Sequence, residues 1–493
     1  MVGAAELRAR VEALAAWLLR HGLRRRDRVG IYLHPSIDQF VALLAVSLAG
    51  GVFVVLNHRW SPAQVARAMA HTGMRWLFTQ AGKMSALAAP AQALGCPLIV
   101  REPGLGPGPS VPWPASGPVE PLPGFPALSD RDLAAILYTS GSTGLPKGVM
   151  ISHRNFLDAS HRIAEYIGNH HGDRVLALLP CSAPWGVLQL TTMLQAGGQV
   201  VLPGASMPAE VARSIRQHRV TGLAGLPPTW IGLVDYLEDR GETLPELRFV
   251  TTSGGVIPDR VLEAMPRVFP RAEVFQTYGL SEAFRSTLVP PSWFARKRGS
   301  LGRPCRNVDV FVVQPGKGRC GPGERGELVH RGAVVTLGYW ADPEATAASF
   351  RSCPELREEI SDEIVHYSGD IVEMDAEGFL WFVGRRDGLL KINGHRVSPE
   401  EIESAAVRAG AVAHAVAFGL EDQSGCHGIC LAIQPARAAA FDRAEFDRRL
   451  RDALPSYQFP RKLSVWAEPM PLSAPGKVDR AAVIRRSFGE PET

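Results

Sequence analysis

The chain has 493 residues, of which 46% are hydrophobic, 21% charged and 8% aromatic. These values exclude a disordered or collagen-like chain, and the length predicts two or more domains. The formal net charge of +4 gives no reason to expect nucleic acid or an acidic membrane as a partner. The seven cysteines are scattered and form no C-x-x-C pair, which is typical of reduced thiols in a cytoplasmic protein.

Helical and strand patterns alternate from the N-terminus to about residue 250. Leu7, Val11, Leu14 and Leu18 recur at helical spacing, and Gly22 follows as a stop signal. Short apolar runs then alternate with helical stretches, beginning with RVGIYL and continuing through VLALLP, QVVLPG and LRFVTTSGG. This alternation predicts an α/β domain with a parallel sheet.

One uncharged segment, Gln39 to Asn57, is nearly long enough to cross a membrane. Ser47 and the pair Gly50–Gly51 divide it, so we expect a buried helix followed by a buried strand, and no membrane insertion. The charged N-terminal sequence MVGAAELRARVEA does not fit a secretory signal peptide. These features lead us to expect a cytoplasmic protein.

Three later regions differ in composition. Residues 102–126 are rich in proline and glycine, which predicts a surface connection. Residues 308–383 contain short β-like runs separated by glycine and proline, which predicts a small β-rich subdomain. After Gly384 the chain becomes charged and more helical, so we expect the C-terminal part to form a separate small domain.

A strand-like run, LAAILYT, leads directly into the glycine-rich segment TSGSTGLPKG at 139–148. Glycines let backbone N–H groups approach an anion, hydroxyls add donors, and Lys147 adds a point charge suited to phosphate. The segment is not a Walker loop, because Pro146 precedes Lys147 and Gly148 follows it. A plain linker is the alternative for this composition, but the direct attachment to a strand favours a polyphosphate-binding loop.

The run YTSGSTGLPKGV resembles the signature loop of the adenylate-forming superfamily. That superfamily includes acyl- and aryl-CoA synthetases, adenylation domains of peptide synthetases and beetle luciferases. Its further motifs follow in order, so that the resemblance spans about residues 29–480. For this loop the resemblance implies contacts to the ATP phosphates by Thr139, Ser140, Gly141, Ser142, Thr143, Gly144 and Lys147.

A second motif, QTYGLSE at 276–282, resembles Y-G-x-T-E of the superfamily. The resemblance implies that Tyr278 packs on adenine, Ser281 meets phosphate and Glu282 holds Mg²⁺; a hydroxyl and a carboxylate suit this ion. TTSGG at 251–255 resembles the stretch whose backbone lies along the adenine. The implied nucleotide-binding set therefore also contains Gly254, Gly255, Gln276, Thr277 and Gly279.

HYSGD at 366–370 resembles Y-x-T-G-D, whose aspartate, here Asp370, accepts hydrogen bonds from both ribose hydroxyls. A bidentate carboxylate suits a vicinal diol. His366 and Ser368 depart from the usual Tyr and Thr, so only the G-D core of the motif is retained. A simple turn is the alternative for S-G-D taken alone.

Two C-terminal motifs complete the resemblance. GRRDGLLKINGHRVSPEEIE at 384–403 resembles the superfamily hinge. It implies that Arg385 reaches ribose or phosphate, that Asp387 is the hinge residue and that Lys391 acts in the second half-reaction. PLSAPGKVDR at 471–480 resembles P-x-T-x-x-G-K-x-x-R, whose lysine, here Lys477, is the adenylation lysine.

The fold implied by the resemblance is α/β. A large N-terminal domain of mixed α/β layers with a small β-rich subdomain is expected over residues 1–386, forming the adenylation core that binds acid and ATP. A small, mobile α+β C-terminal domain is expected over residues 387–493, carrying the catalytic lysine.

The implied activity is that of an AMP-forming carboxylic acid–thiol ligase. Such an enzyme uses Mg-ATP to form an acyl-adenylate and transfers the acyl group to a phosphopantetheine thiol, of CoA or of an acyl carrier protein. Lys477, Glu282 and Lys391 are the implied catalytic residues. The alternative is a stand-alone amino-acid adenylation enzyme that loads a carrier protein, and a non-catalytic nucleotide-binding protein of the same fold is a third reading.

The segment LPCSAPWGVLQL at 179–190 aligns with part of the substrate pocket in relatives. It contains no Asp, whereas many amino-acid-adenylating domains place one there to pair with the substrate ammonium. Because burying an ammonium without a carboxylate is costly, we favour a non-amino carboxylic acid. Ala183 stands where many acyl- and aryl-CoA synthetases carry a His, and Trp185 and Trp230 are candidate pocket walls with core packing as the alternative.

Overall fold

The computed structural model describes residues 2–100, 110–113, 124–139, 147–255, 257–388, 390–392, 395–410, 412–421, 427–436, 441–454, 458–473 and 477–488. Its helices are α1 (Ala4–Arg20), α2 (Ile37–Leu48), α3 (Pro62–Thr72), α4 (Met84–Ala93), α5 (His153–Ile167), α6 (Pro184–Ala196), α7 (Pro208–His218), α8 (Pro227–Glu238), α9 (Asp259–Val268), α10 (Pro343–Ser349), α11 (Arg357–Ile360), α12 (Pro399–Arg408), α13 (Arg443–Ala453) and α14 (Arg480–Phe488).

Its strands are β1 (Arg28–Ile31), β2 (Val52–Val55), β3 (Trp76–Thr79), β4 (Leu98–Val100), β5 (Ser110–Pro112), β6 (Leu133–Thr139), β7 (Lys147–Ser152), β8 (Arg174–Leu176), β9 (Gln199–Val201), β10 (Gly222–Gly225), β11 (Phe249–Thr252), β12 (Glu273–Tyr278), β13 (Thr287–Val289), β14 (Arg303–Pro304), β15 (Val308–Gln314), β16 (Gly318–Arg319), β17 (Arg325–Gly332), β18 (Phe350–Ser352), β19 (Ile364–Met374), β20 (Leu380–Arg385), β21 (Leu390–Ile392), β22 (His395–Val397), β23 (Val412–Glu421), β24 (His427–Pro435), β25 (Lys462–Val465), β26 (Leu472–Ser473) and β27 (Lys477–Val478).

The first of two compact units comprises Met1–Gly204, Leu280–Phe284 and Gly332–Arg351. Its main sheet has the order β5-β4-β3-β1-β2-β6-β7, with β7 antiparallel to β6 and the other pairs parallel. Strands β2 and β3 are buried along their whole length, as their apolar sequences VFVV and WLFT require. The carboxyl ends of the parallel strands meet at one edge of the sheet, where α/β proteins bind ligands, and β6 ends there at Thr139.

The second unit comprises Ala205–Gly279, Arg285–Arg331 and Ser352–Thr493. One sheet follows the order β14-β13-β12-β11-β10, in which β10 to β12 run parallel and β13 and β14 are antiparallel. A β-rich part follows the order β16-β15-β17-β19, and β20 pairs with the second half of β19. This last pairing places Asp370 directly opposite Arg385.

The C-terminal part of the second unit has its own core. Strands β23 and β24 are antiparallel, β25 is parallel to β24, and α12 and α13 pack with them around Ile402, Leu431 and Leu450. The sequence patterns indicated the helices here but did not identify β23 and β24. Alanine and glycine interrupt both apolar runs, and these residues have little preference for strands.

The architecture confirms the α/β fold class with a β-rich subdomain and an α+β C-terminal part. The uncharged segment Gln39 to Asn57 forms α2 and the buried strand β2, as expected. Within the described ranges, no helix is both long and apolar enough to cross a bilayer. Of the proline-rich connection, the structure describes 110–113 and 124–126, and β5 adds a short edge strand beside β4.

Candidate active site

The hairpin β6–β7 carries the two ends of the predicted phosphate loop. Thr139 and Lys147 are cross-strand partners, so the chain leaves and re-enters the sheet at one point. Ser140, Gly141, Ser142, Thr143 and Gly144, which we predicted to contact phosphate, lie outside the described residues. Lys147 Nζ lies 4.9 Å from the centroid of the Tyr339 ring, a cation–π contact.

Glu282 meets the same tyrosine. The Tyr339 hydroxyl donates to Glu282 Oε1 at 2.8 Å, and the Glu282 carbonyl oxygen accepts the Thr336 N–H at 3.0 Å. The structure therefore brings two predicted site residues to one aromatic side chain, Lys147 to its ring and Glu282 to its hydroxyl. Ser281, beside Glu282, is half-buried.

Tyr278, Asp370 and Arg385 come from three separate motifs and meet in the second unit. The Tyr278 hydroxyl donates to Asp370 Oδ2, and Arg385 Nη1 donates to Asp370 Oδ1. Asp370 is only 3% exposed. Burial raises the pKa of this carboxyl above its ordinary value, against the lowering effect of Arg385 and the Tyr278 hydroxyl. Burial also raises the pKa of Tyr278, so the phenol remains a donor near neutral pH.

Hydrogen bonds to Glu327 fix the turn that carries Asp370. The Gly369 N–H donates to Glu327 Oε1 at 3.0 Å, and Glu327 Oε2 accepts Arg386 Nη1 at 2.9 Å. Gly369 has φ 72°, and a Cβ there would lie 3.0 Å from Arg385 Nη2. The positive φ favours glycine at this position, and a larger side chain would also crowd Arg385, which agrees with the G-D core of the motif.

His366, which stands where the superfamily motif usually has Tyr, is buried in the core next to this cluster. His366 pairs across the sheet with His330, and their rings stack with centroids 6.1 Å apart. His330 also stacks on Tyr278 at 6.1 Å. Burial and the neighbouring His366 lower the pKa of His330 to about 3, so its ring is neutral at physiological pH.

The side chains of Gln276 and Thr277 form hydrogen bonds within the protein. Gln276 Nε2 donates to the Ser300 carbonyl at 2.6 Å. Thr277 Oγ1 donates to the Thr252 carbonyl at 3.1 Å and accepts Arg285 Nη1 at 2.7 Å. If these two residues contact nucleotide, their backbone is the part that does so. Gly279 is half-buried, whereas Gly254 and Gly255 are exposed and have φ of 82° and 157°.

The candidate pocket residues have different surroundings. Ala183 and Trp185 are half-buried at the start of α6, where Ala183 is the N-cap. Trp230 is 0% exposed, donates through Nε1 to the Gly225 carbonyl at 2.9 Å and packs edge-on against Phe269. These are the contacts of a core residue and favour the packing alternative for Trp230, whose place as a pocket wall stays a prediction.

The C-terminal residues are described in part. Lys477 is exposed at the start of β27, and its partner across the hairpin is Ser473, whose hydroxyl donates to the Lys477 carbonyl at 3.1 Å. Asp387 lies in a 3₁₀ turn, Arg386–Gly388, and Lys391 lies in β21; their side chains are outside what the structure describes. The hinge role of Asp387 and the role of Lys391 remain predictions.

Sequence reasoning did not assign Tyr339, Glu327 or Arg480. The first two lie in GERGELVHRGAVVTLGYW, which resembles a superfamily pattern without an assigned role. Arg480 ends the motif of Lys477 and forms an ion pair with Glu403 of the hinge motif. Their position inside recognised patterns was the available signal, but the partners lie far away in sequence.

Comparison with known proteins identifies the family of the chain. A family model described as AMP-binding enzyme matches residues 3–340. The chain is 31% identical over 494 residues to feruloyl-CoA synthase of Amycolatopsis sp, covering 98% of this chain and 94% of that protein. Among solved structures, ATP-bound MatB from Rhodopseudomonas palustris superposes with a TM-score of 0.85 at 25% identity, covering 99% of this chain and 94% of that one.

A second group of relatives is much longer. The chain is 30% identical over 499 residues to one polypeptide of the linear gramicidin synthase of Brevibacillus parabrevis, covering 99% of this chain. It spans only 6% of that polypeptide and 9% of another from the same synthase. The family match over most of the chain, together with the full-length likeness to feruloyl-CoA synthase, confirms the resemblance seen in the motifs: the chain belongs to the AMP-binding enzyme family of the adenylate-forming superfamily.

Proposed function

We propose that the protein is an ATP-dependent, AMP-forming ligase that joins a carboxylic acid to a phosphopantetheine thiol. The observation that carries this proposal is the meeting of Tyr278, Asp370 and Arg385, because residues from three motifs form one hydrogen-bonded cluster. A buried carboxylate with aromatic and guanidinium neighbours is suited to a nucleoside: the carboxylate to the ribose diol, the ring to the base.

The residues assigned to phosphate and metal fit a magnesium nucleotide. Magnesium keeps several waters and is usually held by one or two carboxylates plus substrate phosphates, so a single carboxylate, Glu282, is sufficient. Its Oε1 accepts the Tyr339 hydroxyl, and we assign Oε2 to the metal. Lys147 adds a positive charge for the phosphate oxygens. When bound, the metal neutralises phosphate charge during displacement.

In the first half-reaction, an oxygen of the substrate carboxylate attacks the α-phosphorus of ATP. The new P–O bond gives an acyl-adenylate, and the bond to the β-phosphate oxygen breaks to release pyrophosphate. Chemistry of this kind depends on positioning and charge neutralisation more than on covalent help. We assign to Lys477 the neutralisation of the negative charges that meet between the carboxylate and the α-phosphate.

In the second half-reaction, a thiol sulfur attacks the acyl carbonyl carbon and AMP leaves. We propose that the C-terminal part, residues 387–493, turns about Asp387 between the two steps and exchanges Lys477 for the face that bears Lys391. Hinge motions that assemble a second site are a known device in enzymes of several steps. The acceptor we propose is the phosphopantetheine thiol, carried either by CoA or by an acyl carrier protein.

A second candidate function is amino-acid adenylation for loading a carrier protein. The match of nearly the whole chain to part of a linear gramicidin synthase supports it. The segment 179–190 speaks against it, since α6 and the turn before it supply no carboxylate for a substrate ammonium. The match to feruloyl-CoA synthase, which covers nearly all of both chains, favours a non-amino acid and CoA.

A substrate-panel assay tests the proposal. ATP–pyrophosphate exchange is measured with fatty, aryl and amino acids, and thioester formation is then measured for the active acids with CoA and with a carrier protein. We expect exchange with at least one non-amino acid and its loss in Glu282→Gln. Exchange with amino acids alone would establish the second candidate, and nucleotide binding without any exchange would refute both.

A further inference from the structure

Tyr339 contacts both charged side chains that we assign to the phosphates and the metal. Its hydroxyl donates to Glu282 Oε1 at 2.8 Å, and its ring lies 4.9 Å from Lys147 Nζ. A hydrogen bond to a carboxylate and a cation–π contact both depend on orientation, so each one fixes the direction of the charged group. The residue that connects them is neutral and lies between two opposite charges.

Tyr339 is itself firmly held. It is 7% exposed, and its ring packs edge-on against Phe350 with centroids 5.6 Å apart. Its N–H donates to Thr346 Oγ1 at 2.9 Å, and its backbone forms a bridge with Val149, two residues beyond Lys147. A side chain anchored at this many points can impose a geometry on its neighbours.

We propose that Tyr339 is the positioning residue for magnesium nucleotide in this protein. Its hydroxyl occupies Glu282 Oε1 and thereby directs Oε2 to the metal. Its ring supports the ammonium of Lys147, so that the lysine and the carboxylate each have a neutral partner and need not neutralise one another. This inference rests on the function proposed above, because Glu282 and Lys147 take their roles from it.

Tyr32 provides a closely matched control. It too is a buried tyrosine, 4% exposed, and its hydroxyl donates to the Trp60 carbonyl at 2.6 Å. Its ring carries the ammonium of Lys83, with Nζ 3.6 Å from the centroid. Tyr32→Phe therefore removes a phenol hydroxyl beneath a lysine, as Tyr339→Phe does, but removes no contact to a carboxylate.

The test is calorimetric binding of ATP to the full chain as Mg²⁺ is titrated, with ATP–pyrophosphate exchange measured in parallel. Tyr339→Phe is expected to raise the Mg²⁺ concentration for half-maximal ATP binding about tenfold, the loss of one hydrogen bond to a charged group. Binding of ATP without metal should change little, because the ring still supports Lys147. Tyr32→Phe should leave both measurements at the wild-type value.

A double-mutant cycle identifies the route of the effect. In a Glu282→Gln background, Tyr339→Phe should add little further change to the Mg²⁺ dependence, since its hydroxyl acts through that carboxylate. Additive effects would overturn the proposal, as would a wild-type Mg²⁺ dependence in Tyr339→Phe. Equal losses in Tyr339→Phe and Tyr32→Phe would show a general role in folding and would also overturn it.

Failure of the proposed function gives a different result. If wild-type protein binds Mg-ATP and exchanges pyrophosphate while Tyr339→Phe behaves as wild type, only the inference about Tyr339 fails. If wild-type protein shows neither Mg-dependent ATP binding nor exchange with any acid, the proposed function fails and the inference fails with it.

Discussion

Removing the hydroxyl of Tyr278 tests the cluster that we assign to the ribose. Tyr278→Phe keeps the aromatic ring, while Asp370 Oδ2 loses its donor and Oδ1 keeps Arg385. Because Asp370 is only 3% exposed, water has little access to replace the hydroxyl. A hydrogen bond to a charged group contributes about 1.5–3 kcal/mol, so we expect the variant to lose about that much stability at neutral pH.

The size of this loss should depend on pH. Burial raises the pKa of Asp370, and the Tyr278 hydroxyl opposes that effect, so the variant's Asp370 has a still higher pKa. A carboxyl with a raised folded pKa contributes stability that is full below its unfolded pKa and is lost as pH rises through the folded pKa. The difference between variant and wild type is therefore smallest in acid, where Asp370 is protonated in both, and grows toward neutral pH.

The assay is urea unfolding followed by tryptophan fluorescence, from about pH 4.5 to about pH 7.5. A chain of this size can unfold in steps, so midpoints are compared instead of extrapolated free energies. Tyr32→Phe is the control, because its hydroxyl donates to a backbone carbonyl that does not titrate. Parallel pH profiles for the two variants, or a Tyr278→Phe midpoint equal to wild type, would refute the reasoning.

Three further predictions concern the C-terminal motifs. Lys477→Ala should lower pyrophosphate exchange about a hundredfold or more without changing the melting temperature. The control is Lys462→Ala, which removes another exposed lysine and should leave exchange unchanged. Equal losses of exchange in the two variants would contradict the assignment of Lys477. Asp387→Pro should reduce thioester formation far more than exchange; equal loss in both would contradict the hinge role. Burial raises the pKa of Glu403 from 4.5 to about 7 against the opposing effect of Arg480. The stability from this carboxyl is full below its ordinary pKa and is lost as pH rises through about 7. The melting temperature of Glu403→Gln, relative to that of wild type, should therefore increase from about pH 5 to about pH 8. A difference in melting temperature that stays constant over this range would contradict the prediction.

Local patterns carried most of the fold prediction. The helical spacing and the short apolar runs predicted α1, β1 and β6, because the hydrophobic period and a stop signal lie in adjacent residues. The pairing of β6 with β7 was not predicted. The same approach missed β23 and β24. Their strand character comes from pairing with each other and from burial against α12, neither of which is present in a local window.

In the candidate site, too, local motifs predicted the residues but not the contacts between them. Tyr278, Glu282 and Asp370 were predicted as site residues because each lies in a short motif, whereas the contacts that orient them join residues far apart in the chain. Tyr339 is 57 positions from Glu282, and Tyr278 is 92 positions from Asp370. Trp230 was proposed from its position in the sequence alone, and its complete burial only becomes visible once α8 is packed.

The last residues of the two C-terminal motifs contact each other. Glu403 ends the hinge motif and Arg480 ends the lysine motif, and the two side chains form an ion pair. Both also bond to the backbone of Ala417. The Ala417 N–H donates to Glu403 at 2.7 Å, and the Ala417 carbonyl accepts Arg480 Nη2 at 2.7 Å. These motif residues are thus explained by packing within the C-terminal part. Arg480, three positions after Lys477, is thereby joined to Glu403 of α12. A motif residue beside Lys477, which we propose as the adenylation lysine, therefore need not touch substrate: the contacts of Arg480 to Glu403 and Ala417 lie within the C-terminal part.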